Sequence, residues 1–171
     1  MRAGAIIWAL FATMAAVTGP ASAQDTGCDK FAWALTRERA LFAAADKRPL
    51  SAGTELAAIP REAITLRLSP ARQATFTLPP ERKSKLENWF GGGIRLPAPE
   101  KAGAYQVTLS EEAWIDVVQD ARYARSIGST GRSDCRGLRK SVRFELNTTP
   151  FVIQLSGVAT ENIDVAISRA D

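Results

Sequence analysis

The 171 residues, 46% hydrophobic and 23% charged with a formal net charge of +4, suffice for one domain and exclude a large multidomain enzyme. The chain contains no histidine, which removes His-based triads, imidazole acid–base chemistry and histidine-ligated metal sites from consideration. With 12 glycines, 9 prolines and 2 cysteines, the composition is neither disordered, collagenous nor disulfide-dense.

The chain opens with a charged residue, Arg2, followed by an almost wholly apolar stretch from Ala5 to Val17 and the small-x-small triplet Ala21-Ser22-Ala23. This is the form of a secretory leader, and cleavage is predicted after Ala23. Gly19 and Pro20 end the apolar run short of the roughly 18 to 20 residues that cross a bilayer. Asp25-Thr26-Gly27 before Cys28 is not a lipoprotein signal. The expectation is a periplasmic or secreted protein of residues 24–171 forming a single domain, with no membrane span.

Export gives the two cysteines their meaning. An oxidising compartment favours a Cys28–Cys135 bridge, and neither a CxxC pair nor a neighbouring histidine argues for a reactive thiol. Closing a loop of roughly 100 residues stabilises by on the order of 4 to 5 kcal/mol in the chain-entropy account.

Phe31, Ala34, Leu35, Glu38, Leu41 and Phe42 recur at helical spacing, predicting one short N-terminal helix over about 29–45. Thr36 is a candidate cap, and the stripe fades at Asp46 to Pro49. Beyond Pro60 the period changes to two. Ile64, Leu66 and Leu68 alternate with polar residues, as do Phe76 and Leu78, Tyr105 to Leu109, Val142 to Leu146, Phe151 to Leu155 and Ile163 to Ile167. Trp114 to Val118 is β-branched and aromatic, and Ile94 and Leu96 mark one further strand. About eight short strands with no crossover-helix pattern predict a mainly β, antiparallel two-sheet sandwich of jelly-roll type. A compact barrel is the other arrangement that buries these faces.

Three places could carry chemistry. Arg82, Lys83 and Lys85 with Trp89 and Phe90 precede Gly91, Gly92 and Gly93 in a predicted loop, a candidate binding surface whose glycine amides could form an anion nest. Arg132, Arg136, Arg139, Lys140 and Arg143 surround Cys135 as a candidate anion-binding cluster, although the net charge of +4, less Arg2 with the leader, is small for a nucleic-acid binder. Glu111, Glu112, Asp116 and Asp120 could supply two glycosidase carboxylates or part of a calcium site. Trp114 beside Asp116 has the make-up of a carbohydrate pocket, with Asp116 needing a partner if its face is buried. Outward-facing strand positions account for the same residues more simply.

The runs Cys28-Asp29-Lys30-Phe31-Ala32-Trp33, Arg37-Glu38-Arg39-Ala40-Leu41, Leu78-Pro79-Pro80-Glu81-Arg82-Lys83, Tyr105-Gln106-Val107-Thr108-Leu109-Ser110, Trp114-Ile115-Asp116-Val117-Val118-Gln119-Asp120 and Lys140-Ser141-Val142-Arg143-Phe144-Glu145-Leu146 resemble a family of short exported proteobacterial proteins of unknown function. Some members carry the name homogentisate 1,2-dioxygenase, whose iron requires two histidines and a carboxylate. A chain without histidine cannot inherit that activity. The part from Gly103 to Ile167 is also similar to bacterial pre-peptidase C-terminal domains, which implies a secreted, non-catalytic accessory sandwich and no site residues to carry over. The expected function is a non-enzymatic periplasmic protein that binds a cell-envelope protein or polysaccharide, with no cofactor, metal or nucleic acid. The alternative is a glycan-acting hydrolase using Asp116 and Glu112.

Overall fold

The computed structural model describes residues 27–170; the predicted leader and its cleavage site lie outside them. Among the described residues one helix, α1 (Thr36–Ala43), precedes eleven strands. These are β1 (Arg48–Ser51), β2 (Ile64–Arg67), β3 (Ser69–Pro70), β4 (Phe90–Leu96), β5 (Gly103–Leu109) and β6 (Trp114–Gln119), then β7 (Arg122–Tyr123), β8 (Ser126–Gly131), β9 (Lys140–Leu146), β10 (Phe151–Val158) and β11 (Asn162–Arg169). They form two sheets, ordered β1-β2-β11-β5-β9-β8 and β3-β4-β10-β6-β7. The pairings β2 with β11, β4 with β10, β5 with β9 and β6 with β7 are all antiparallel, which is a long hairpin rolled up on itself: the expected jelly roll.

Period-two alternation decides which side chains meet. Ile64, Leu66, Tyr105, Val107, Leu109, Val142, Phe144, Leu146, Ile163, Val165 and Ile167 point from one sheet into a single core. Ile94, Leu96, Ile115, Val117, Phe151, Ile153 and Leu155 meet them from the other. The central strands β5 and β10 are long and paired on both sides, so their backbone groups are satisfied where water is excluded.

The alternate residues are not all wet. Gln106, Thr108, Ser141 and Ser168 lie buried on the outer face of the first sheet, beneath the N-terminal segment. Leu35 and Phe42 pack there with Ala63, Leu138 and Ala166. The Cys28–Cys135 disulfide, spanning 107 residues of sequence, fastens this third layer to the sheet. The helix itself is shorter than the expected 29–45, running only from Thr36 to Ala43. Residues before it follow the sheet instead, with the Ala32 amide donating to Thr130 Oγ1 at 3.0 Å. Thr36 does not cap it, since no side chain makes a capping bond at its start. Its far end is closed by Lys47, whose Nζ donates to the Phe42 and Ala44 carbonyls at 2.7 and 2.9 Å. Glu38, at an inward helical position, is buried and accepts from Gln106 Nε2 and Ser168 Oγ at 2.9 and 3.0 Å.

The outer face of the second sheet is covered by residues 71–89. Phe76 and Leu78, expected in a strand, lie instead in irregular chain. Its hydrogen bonds come from a side chain. Gln154 Oε1 accepts from the Thr77 and Leu78 amides at 2.7 and 3.2 Å, while its Nε2 donates to the Leu78 carbonyl at 3.0 Å. A buried amide thus takes the place of a neighbouring strand.

The expected loop at Gly91 to Gly93 is also corrected. These residues belong to β4, paired with β10, so their amides form no anion nest. A Cβ on Gly93 would sit 2.5 Å from the Ile153 carbonyl oxygen, so the close backbone approach explains the glycine. β1 and β8, which the sequence pattern did not separate from loop, flank the first sheet; β1 runs parallel to β2 and takes the edge.

Candidate functional site

A groove of about 400 Å³ opens where β6 and β9 begin and the segment from Arg82 to Leu86 crosses them. Arg82, Lys83, Lys85 and Lys140 line it, with Glu111 and Glu112 as its carboxylates and Trp114 as its aromatic element. The Arg82 guanidinium lies 5.4 Å from the Trp114 ring centroid and the Lys140 ammonium 5.5 Å from it, both within cation–π range. Lys140 is held further by the Ala113 carbonyl at 2.7 Å and Glu112 at 3.4 Å. No ion pair joins Arg82, Lys83 or Lys85 to a carboxylate among the described residues. Leu86, 44% exposed, adds an apolar contact at the rim.

Trp114 is fixed from below. Its Nε1 donates to Asp116 Oδ1 at 2.7 Å, and the Glu81 amide donates to Asp116 Oδ2 at 3.2 Å. Asp116 is 3% exposed, and its partners are an indole and a backbone amide rather than an arginine. Desolvation raises its pKa above the usual carboxylate value. The Trp114 and Glu81 N–H bonds oppose that shift, and the nearby Glu81 carboxylate adds to it. Tyr123 stands close by, donating its hydroxyl to the Pro79 carbonyl. Its pKa is raised first by desolvation and then by Asp116 and Glu81.

The three sequence candidates are partly merged and partly separated. Arg82, Lys83, Lys85, Trp114 and Lys140 converge on the groove. Trp89 and Phe90 do not line it: Trp89 packs on Phe76 with ring centroids 6.3 Å apart, and Phe90 packs against the main core. Arg132 makes two 2.9 Å bonds to Asp134, and Arg139 reaches Glu112 at 3.5 Å, so local carboxylates offset much of the charge near Cys135. The Arg132 partner lowers the Asp134 pKa. Arg136 is exposed beside Cys135, and Arg143 lies 4.3 Å from the Trp33 ring centroid. Asp116 lies beneath the groove and Glu112 at its rim, engaged with separate partners. Among the described residues, no three carboxylate or cysteine side chains gather to hold a metal ion.

Glu81, Tyr123 and Gln154 escaped the sequence analysis because nothing in linear spacing connects them with β6. The proline pair before Glu81 was the sole local hint of an ordered crossing. Among the described residues no helix is long and apolar enough to cross a membrane. Comparison with known families, curated proteins and solved structures finds no match to this chain.

Proposed function

We propose that this protein is a non-enzymatic binding module of the cell envelope whose groove takes an acidic polysaccharide. The observation that carries the reading is Trp114 flanked by Arg82 and Lys140 in a groove that also presents Lys83 and Lys85. Cations without carboxylate partners favour a polymer bearing repeated negative charge. The disulfide agrees with an exported protein working in an oxidising compartment. Glycan hydrolysis by Asp116 and Glu112 is less favoured: Asp116 is occupied on both oxygens beneath Trp114, and Glu112 is bound to two cations.

Calorimetric titration with a polyuronic acid oligosaccharide, against a neutral glucan of equal length, tests the reading. Saturable binding of the acidic chain, weakened about tenfold or more by Lys83→Ala with Lys85→Ala, is the expected result. Equal affinity for both glycans, or binding of neither, overturns it. Capture of an envelope protein through the same lysines, with no glycan bound, would replace the polysaccharide by a protein partner.

A further inference from the structure

A second cavity, of about 600 Å³, shares no lining residue with the groove at Trp114 and opens where the start of β5 and the end of β11 face residues 57–61. Arg37, Arg61, Lys101 and Arg169 line it, with Glu100 as its sole acidic residue. Among the described residues none of these four cations forms an ion pair with a carboxylate. They come from α1, the chain before β2, the loop after β4 and the end of β11, so tertiary folding alone assembles them. The loop position is secured by the Tyr105 hydroxyl, which donates to the Lys101 carbonyl at 2.9 Å.

The backbone supplies a second and independent feature. β11 pairs with β2 only as far as Val165 opposite Ile64, and then continues to Arg169. The bonds Ala170 N to Ala104 O at 2.8 Å and Ser110 N to Asp164 O at 3.1 Å show that even-numbered residues of β11 bond toward β5. In an antiparallel ladder the amides of Ile167 and Arg169 therefore face the opposite side, where β2 has ended. Both residues line the cavity, and beyond Val165 no strand pairs with this edge of β11.

We propose that this cavity binds a compact organic anion carrying two or more negative charges on phosphoryl or carboxylate groups. Four cations gathered against one carboxylate suit a compact polyanion, and the fork-like guanidinium groups suit oxyanions. The site is separate from the groove around Trp114 and does not depend on the reading of that groove.

Titration with pyrophosphate and with citrate, at constant ionic strength and with acetate as the monovalent control, tests the proposal. Saturable binding of one ligand per chain by at least one of the two probes is expected, with acetate at least tenfold weaker. Pyrophosphate preference would indicate a phosphoryl ligand and citrate preference a carboxylate one. Arg61→Ala with Arg169→Ala should weaken binding at least tenfold while leaving the melting temperature unchanged, and Lys101→Ala offers a second, single-site check. Lys83→Ala with Lys85→Ala should leave it intact. Failure of both probes to bind, or binding that depends on Lys83 and Lys85 but not on Arg61 and Arg169, overturns the proposal.

Discussion

The indole of Trp114 and the carboxylate of Asp116, two residues apart on one strand face, are joined by a 2.7 Å hydrogen bond that fixes the ring against the sheet. The pair turns an otherwise costly buried carboxylate into a support for the groove's aromatic element. The same bond places Asp116 under two opposing influences, of which desolvation is the larger.

That balance sets a pH dependence. A folded-state pKa raised above 3.8 means that the native protein holds a proton the unfolded chain has already lost. Its contribution to stability is fully present below 3.8 and is lost as the pH rises through the higher native value. Asp116→Asn removes the titration and keeps an acceptor for the indole. Denaturation curves should therefore show a flatter pH profile above 3.8, with a stability at neutral pH about 1 kcal/mol below the parent because the asparagine Nδ2 cannot accept from the Glu81 amide. Asp116→Ala, which orphans the indole N–H, should cost about 1 to 3 kcal/mol.

Gln154 should be among the most sensitive polar positions. Replacing it with leucine removes three hydrogen bonds that no water can easily restore. A loss of about 2 to 3 kcal/mol is expected, with hydrogen exchange accelerating first at the Thr77 and Leu78 amides. Uniform acceleration across the sheets would instead place the effect in the core.

Removal of the disulfide by Cys28→Ser with Cys135→Ser frees a loop of 107 residues. The expected cost is about 2 to 5 kcal/mol in chemical denaturation. Because the bridge fastens the layer containing Leu35 and Phe42, protection should fall earliest around α1 rather than in the main core.

Asp120 and Ala121 join β6 to β7 with φ of 53° and 58°, both left-handed. A two-residue hairpin requires that geometry, and alanine tolerates it poorly. Ala121→Gly should raise stability by about 0.5 to 1 kcal/mol, read as a higher melting temperature. Gly93→Ala should do the reverse, because its Cβ would meet the Ile153 carbonyl at 2.5 Å.

What the sequence determined by itself is the local and periodic part. Alternation in Tyr105 to Leu109, Val142 to Leu146, Phe151 to Leu155 and Ile163 to Ile167 specifies strands and their buried face, because side chains on a strand point to opposite sides. Two cysteines in one chain leave a single internal pairing. Tertiary structure decided the rest. Phe76 and Leu78 alternate like a strand, yet the backbone groups of Thr77 and Leu78 bond to the Gln154 side chain. Arg82 and Lys140 reach the same indole from segments far apart in sequence, and Arg37, Arg61, Lys101 and Arg169 meet around one cavity. Periodicity reports which face a residue takes within its own segment, whereas meetings between segments depend on how the sheets roll up and on which loops cover their outer faces.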